Sequence, residues 1–353
     1  MTTSNAYRFG ADQGSGDDRA LFLTRFWGEV LVAFRKETMF YDNKGSIIAM
    51  KNLDGGGKSW TFPILGDDPD PEYHTPGDQL LGQTQRWTQG TITIDDILVG
   101  HRDIPLDQRL IAHWDVVQPY ATAIGRAMAI RIDHLISRQA VLSARTAAVS
   151  GYHNGGNIVS RVAAGSTLAD AYPYSSTGAS NFLDDCSELA QLMDEDNVPR
   201  ARGSRWLFIP PRMARVLTYQ RNATNPTLFS EDYRNSNDLN SRVIAEVEGF
   251  NVVVSNNMPA SSNYASDGPP QSTSKYDVDC RYSSSGSGGQ PAAIALCGAS
   301  DGVAAMGMVE AFGITPDSEV DKRRNTLFIK AQTMFGLGTL APWCAGVIQG
   351  RTS

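Results

Sequence analysis

Residues 120–148 read YATAIGRAMAIRIDHLISRQAVLSARTAA, 29 residues with one glycine, Gly125, and no proline. Apolar side chains fall at Ile124, Met128, Ile132, Leu135 and Leu142, at the i, i+4 and i+7 spacings of a helix face. At the usual rise the stretch forms one helix of roughly 43 Å. A helix of that length, in a chain otherwise made of short strands and polar loops, needs something wide to lie against. That support is either a sheet of the same chain or neighbouring copies in an assembly.

Outward from this helix the periodicity changes. Upstream, Ile47 to Met50 makes one short strand. Trp60, Phe62 and Ile64 alternate with Ser59 and Thr61, and Ile92 and Ile94 alternate with Thr91, Thr93 and Asp95, as strands do. Between the last two runs lie Gly66 to Gly77 and then Asp78 to Arg86, a connection of some twenty residues with little to bury. Compact domains rarely tolerate such a length without a functional reason. A two-stranded ribbon with an extended polar tip is marginal by itself, so it is expected to find its missing partner on another subunit. Further upstream, residues 1–18 are polar and aperiodic. Leu21, Phe22, Trp27, Val30, Leu31 and Phe34 then mark a helical face that Asp17 or Asp18 can cap.

Downstream, the long helix dissolves at Ser150-Gly151, and residues 157–180 read as mixed and loop-like. Leu183, Cys186, Leu189, Ala190 and Met193 give a helix over 182–194. Strand 206–209, a helix over 211–221 opened by Pro211, and strand 252–254 complete a small α/β layer. Residues 259–291, rich in Ser, Gly, Pro and Asp, read as a surface loop or insertion. Strand-like pieces follow at 293–296, 303–309, 325–335 and 343–348.

The chain has 353 residues, 41% of them apolar, with Gly 33 and Pro 17. This is a globular composition with two or three domains expected. No apolar run approaches a membrane span, and the first fifteen residues lack a signal-peptide h-region. A soluble protein made inside the cell, without membrane contact, is expected. Thirty-eight acidic and 31 basic residues give a net charge of −7, which argues against sequence-specific duplex recognition. The four cysteines, Cys186, Cys280, Cys297 and Cys344, are scattered and read as small core hydrophobes or incidental thiols.

Motifs that would carry catalysis fail on spacing. Asn52-Leu-Asp-Gly-Gly-Gly-Lys58-Ser59 ends like a phosphate-binding loop, but Asn52 stands where a glycine is required and a strand follows where a helix is needed. Gly55, Gly56 and Gly57 read instead as a hinge at the ribbon base. Asp67, Asp68, Asp70 and Glu72 lack the calcium-loop spacing and form an acidic tip that suits basic residues of a neighbour. The five histidines are dispersed, and no G-x-S-x-G elbow occurs. No catalytic, cofactor-binding or metal residue is assigned. Arg131, Arg138 and Arg145 recur every seven residues with Arg126 nearby, a stripe on one helix face. It suits either a solvated face beside Asp133 or contact with phosphates or an acidic partner without base readout.

Several runs in fixed order carry a family resemblance. They are Ala20-Leu-Phe-Leu with Gly28-Glu-Val-Leu-Val-Ala-Phe, Gly57-Lys-Ser-Trp-Thr-Phe-Pro-Ile-Leu-Gly66, Pro76-Gly-Asp-Gln-Leu and Ile92-Thr-Ile-Asp-Asp-Ile-Leu. Asn197-Val-Pro, Trp206-Leu-Phe-Ile-Pro-Pro and Gly249-Phe-Asn-Val-Val-Val-Ser-Asn-Asn-Met-Pro continue the series. Together they resemble the major capsid proteins of short-tailed, T7-like phages (podoviruses), which have the α+β HK97-type capsid fold.

The resemblance implies an N-terminal arm and helix (1–45) and an extended β-ribbon loop (46–100) lying over the adjacent subunit through Trp60, Phe62, Trp87, Ile92, Ile94 and the acidic tip. It implies a peripheral domain (101–180) with the spine helix 120–148, an axial domain (181–310) with an insertion at 259–291, a return to the peripheral sheet (311–342), and a C-terminal axial strand (343–353). The implied role is structural: hexamers and pentamers of an icosahedral head around double-stranded DNA. A scaffolding protein and a portal protein would be partners, and a decoration protein a further candidate. The virion is the implied location, after synthesis in the bacterial host cytoplasm. Lys–Asn crosslinking, known among some relatives, fits poorly, since Lys58 sits at the ribbon base and the tip has no lysine. A decoration or tail protein is the rival structural reading. A hydrolase with a site assembled near Pro210 is the enzymatic one.

Overall fold

A computed structural model of the chain describes residues 30, 47–53, 57–65, 71–77, 79, 82, 87–105, 117–149, 154–200, 204–218, 246–282, 288–298, 304–321 and 324–352. The expected N-terminal helix lies outside these residues, apart from Val30, which is helical and buried.

Two larger sheets organise the described chain. The first has four strands in the order β1 (Ile48–Asn52), β12 (Met306–Asp321), β13 (Thr326–Thr339) and β4 (Leu98–Pro105). β1 runs parallel to β12, and the other pairings are antiparallel. Leu327, Ile329, Ala331, Thr333 and Phe335 of β13 are buried and alternate with half-buried neighbours, the signature of a sheet with one face on the core.

The second sheet has six strands: β5 (Asn157–Ala163), β14 (Ala345–Thr352), β11 (Gln290–Cys297), β6 (Arg205–Ile209), β8 (Phe250–Val254) and β7 (Glu246–Val247). β11 is buried without alternation from Pro291 to Cys297, as a central strand covered on both faces must be.

The long helix, α1 (Val117–Ala144), packs on β4 and β13 of the first sheet and on β11 and β14 of the second. Its wide support is therefore the same chain. Toward its C-terminal end α1 is buried on every side, from Leu135 through Val141, polar Ser137, Arg138 and Gln139 included. Gln139 Nε2 donates to Thr339 Oγ1 at 3.0 Å, and the Ser143 and Thr339 hydroxyls lie 2.8 Å apart, so these polar groups are satisfied inside the core. Fully buried Ile132 and Ile136 contribute about 1.5–3 kcal/mol each.

The helix differs from its expected bounds at both ends. It begins at Val117 because Pro119 sits in the first turn, where its missing N–H is harmless. It ends at Ala144, where Arg145 N–H is shared between the Val141 and Leu142 carbonyls and Gly156 N–H donates to the Thr146 carbonyl.

Among the described residues three further α-helices follow: α2 (Leu168–Ala171), α3 (Ser176–Glu195) and α4 (Pro211–Thr218). Ser175 caps α3, its Oγ accepting from Gly178 N–H at 3.2 Å. The loop expected over 157–180 is thus largely structured: β5, α2 and the first turns of α3 occupy it. β5 was obscured by its polar Ser160 and Arg161, and it belongs to the sheet of β14 through a parallel pairing. Arg161 is held by Asp185 of α3, which also accepts from the Tyr172 hydroxyl at 2.6 Å and is only 2% exposed. This buried carboxylate ties the edge strand to α3.

Candidate assembly interface: the ribbon and the loop that braces it

The two-stranded ribbon is β2 (Ser59–Leu65) paired antiparallel with β3 (Trp87–Thr93), in register from Ser59 opposite Thr93 to Leu65 opposite Trp87. β1, which lies within the stretch expected to form the extended loop, and β4, of which only residues 98–100 lie there, are members of the four-stranded sheet. Among the described residues, β2 and β3 pair only with each other.

The base of the ribbon is fixed on the body of its own subunit. Ile92 and Ile94 are buried with Val309, and Leu53, Trp60, Phe62, Ala311, Met334 and Leu340 pack around them. The close approach depends on three glycines of β12 and β13. A Cβ on Gly336 would stand 2.1 Å from the Thr93 carbonyl oxygen, one on Gly338 would meet Ile92 at 2.6 Å, and one on Gly307 would meet it at 2.8 Å. Gly307 and Gly338 are opposite each other in the ladder, so the sheet carries a shallow groove lined by backbone in which β3 ends. Asp95 N–H donating to the Phe335 carbonyl at 3.0 Å closes the seat.

Trp60 is half-buried, with its ring 6.5 Å from Phe62 edge-to-face and the Lys51 ammonium 4.7 Å from its centroid. Trp87 pairs with Leu65 through its backbone. Gly57 has φ +137°, and a Cβ there would stand 2.8 Å from Leu53, so this position requires glycine. Gly55, Gly56, Asp67, Asp68 and Asp70 lie outside the described residues. In the tip, residues 71–77 are all exposed, Glu72 among them, and Tyr73 shows its full surface to solvent.

The segment read from sequence as a surface loop or insertion is mostly exposed over residues 260–274, and it also acts as a brace. Its short hairpin, β9 (Asn263–Tyr264) with β10 (Val278–Asp279), carries a loop that touches both the ribbon base and α1. Lys275 Nζ lies 2.5 Å from Asp95 Oδ1 and donates to the Thr93 carbonyl at 2.8 Å. The buried Tyr276 hydroxyl donates to the same Asp95 carboxylate and accepts from Leu337 N–H at 3.3 Å. Burial, and then the neighbouring Asp95 charge, push the Tyr276 phenol well above its ordinary pKa, so it stays a donor. Gln271 N–H donates to Asp96 at 3.0 Å, and Lys58 Nζ donates to Gln271 Oε1 at 2.7 Å.

On the helix side, Asp267 accepts from Arg131 Nη1 at 3.1 Å and from Arg138 Nη1 at 2.7 Å. The Arg138 guanidinium also lies 4.0 Å from the Tyr264 ring centroid. Hydrogen bonding from Arg131 first, and from Arg138, holds the Asp267 carboxyl below its usual range. His134, between the two arginines in sequence, is held below its ordinary value by burial and then by Arg138 and Arg131.

The stripe expected on α1 is therefore committed within the chain for most of its length. Arg131 and Arg138 take Asp267, and Arg145 donates to the carbonyls of Asp279 at 2.6 Å and Gly289 at 3.0 Å and to Gln349 Oε1 at 2.8 Å. Arg126 is exposed one to two turns before this cluster. Sequence reasoning missed Asp95, Asp267, Lys275 and Tyr276. The signal that could have found them is three tyrosines, 264, 276 and 282, inside an otherwise polar loop.

This architecture, a helix laid across two sheets with a ribbon seated on one of them, recurs in solved capsid structures. The capsid structure of the cyanophage P-SCSP1u matches with a TM-score of 0.72 over 98% of each chain at 24% identity. The mature capsid asymmetric unit of bacteriophage PhiM1 matches with a TM-score of 0.67 over 89% of this chain and 87% of that one, at 14% identity. The fold is that of an HK97-type capsid protein. The sequence model of the family described as "Gp10A-like: Major capsid protein" matches residues 61–349, and the chain belongs to that family, a structural one and not an enzyme family. The major capsid protein of Escherichia phage T7 is 32% identical over 133 residues, 36% of this chain. That of Enterobacteria phage T3 is 30% identical over 132 residues, again 36% of this chain. These alignments span 37% and 36% of the two relatives' lengths, a little over a third.

Proposed function

We propose that the chain builds the shell of a phage head, one sequence occupying hexamers and pentamers of an icosahedral capsid around double-stranded DNA. The observation that carries this reading is the asymmetry of the ribbon. Its base is locked onto the four-stranded sheet by Ile92, Ile94 and the Gly307–Gly336–Gly338 groove, while residues 71–77 present every side chain to solvent. A fully exposed tyrosine, Tyr73, at the end of an anchored lever suits a buried aromatic contact on a sister subunit. Many such weak contacts, repeated by closed symmetry, would hold the shell.

A scaffolding protein during assembly, a portal protein at one vertex and a decoration protein on the finished head are the partners this role would require. Synthesis in the bacterial cytoplasm and residence in the virion go with it. The acidic net charge of −7 and the commitment of Arg131, Arg138 and Arg145 to intrachain partners favour only loose, sequence-independent contact with packaged DNA.

Deleting residues 67–85 tests the reading. The seat of β3 stays intact, so a folded subunit with a native circular dichroism spectrum is expected. Electron microscopy should then show no closed particles. Intact shells from the deleted chain would refute the lever's role.

A further inference from the structure

The brace is closed on itself. Tyr264 and Val278 pair across its short hairpin, and between them Gly268 N–H donates to the Thr273 carbonyl at 3.0 Å. Ser272 N–H donates to the Pro269 carbonyl at 2.9 Å, and Lys275 N–H to that of Ser272 at 3.1 Å. Ser266 N–H reaches across the loop to Asp277 Oδ1 at 2.8 Å. A Cβ on Gly268 would stand 2.6 Å from the carbonyl oxygens of Ser272 and Thr273, so the two halves of the loop lie backbone against backbone. A segment whose polar backbone groups are satisfied internally in this way holds its shape and moves as a unit.

That unit is attached at two places. On the ribbon side it meets both legs: Gln271 Oε1 accepts from Lys58 Nζ at 2.7 Å just before β2. Gln271 N–H and the Lys275 ammonium hold Asp96 and Asp95 just after β3. The legs are joined to each other there, since Ile94 N–H donates to the Lys58 carbonyl at 2.8 Å. On the other side Asp267 takes Arg131 and Arg138 of α1. Asp267, Gln271 and Lys275 all belong to the one closed loop.

We infer that this loop is a crossbar that makes the ribbon's seat and the hold on α1 open and close together. Its use in a shell rests on the ribbon's role as a lever. A sister subunit that tilts the ribbon pulls on Gln271 and Lys275, and the closed loop carries that pull to Arg131 and Arg138. A tilt too large for the loop to follow detaches it at both ends. The coupling is reciprocal: whatever weakens the hold on α1 loosens the ribbon base by the same factor.

Amide exchange of the purified, unassembled full chain tests the coupling without requiring a shell, so its failure leaves the lever to be judged by the deletion of residues 67–85. Asp267→Asn alters the helix attachment alone. Exchange in peptides covering residues 88–96 should nevertheless quicken by the same factor as in those covering 263–270, about 5-fold or more. Lys275→Met alters the ribbon attachment and should likewise quicken both by one common factor. The two substitutions together should multiply the factors at both ends, as two changes to a single opening do. β11 and β14 should keep their protection. If Lys275→Met fails to fold, Gln271→Ala, at an exposed position, takes its place. Faster exchange confined to the altered end overturns the proposal, as does unchanged exchange at both ends or an equal acceleration in β11 and β14.

Discussion

Replacing Asp267 by Asn removes the charge that holds the brace to α1 while keeping the side chain's shape. The carboxylate accepts from Arg131 at 3.1 and 3.2 Å and from Arg138 at 2.7 Å. Arg138 is 4% exposed, so its guanidinium would lose its anionic partner inside the protein and keep, among the described residues, the Tyr264 ring. Breaking a fully buried ion pair costs about 3–5 kcal/mol. Here Asp267 is 47% exposed and Arg131 34%, and solvent screening brings the expected loss to about 1–2 kcal/mol. Because Arg131 Nη2 also donates to the Asp267 backbone carbonyl at 2.7 Å, part of the contact survives the change. The loss should appear as local opening of the brace. Amide hydrogen exchange in peptides covering residues 263–282 should quicken about 5- to 30-fold, the Boltzmann factor of that energy. Protection of β11 and β14 should stay as it was. Unchanged exchange over 263–282, or an equal increase throughout the chain, would refute the assignment of Asp267 as the brace's attachment to the helix.

Gly336→Ala places a methyl 2.1 Å from the Thr93 carbonyl oxygen, and unfolding midpoints should show a loss of about 1–3 kcal/mol with the ribbon base displaced; native stability and native particle yield together would contradict the groove. Asp185→Ala strands the Arg161 guanidinium and the Tyr172 hydroxyl against α3, and chemical denaturation should register a loss of about 2–4 kcal/mol. Acidification should loosen the brace in two stages. His134 is held below 6.5, so the unfolded chain takes up a proton first, and stability falls as pH drops through 6.5 toward the folded value. Asp267 is held below 3.8, so its contribution is complete above that pH and is lost as pH falls through its own lower value. Exchange over 263–282 measured from pH 7.5 to about 2 checks both, and a flat profile would contradict them.

The long helix was legible because its register is local: Ile124, Met128, Ile132 and Leu135 lie on one face whatever surrounds them. Its end was not, since Thr146, Ala147 and Ala148 suit a helix, and the bond from Gly156 N–H to the Thr146 carbonyl comes from beyond the helix. β5 was illegible for a similar reason. Its partner lies far along the chain, with Gln349 and Ser160 bonded across 189 positions, and a strand with polar Ser160 and Arg161 shows its nature only beside β14. The brace lacks any period that a reading of hydrophobicity could detect, because Lys275, Asp267 and Tyr276 hold it by charge and hydrogen bonds. For the basic stripe, spacing showed that the arginines share a face but not what faces them.

The position of β14 has a consequence for biosynthesis. β14 is inserted between β5 and β11, and without it β5 has no neighbour in its sheet. While residues 345–352 are still inside the ribosome, the sheet remains split and its apolar faces unfinished. A nascent polypeptide therefore cannot complete this sheet until residues 345–352 have emerged, which delays formation of its native surface.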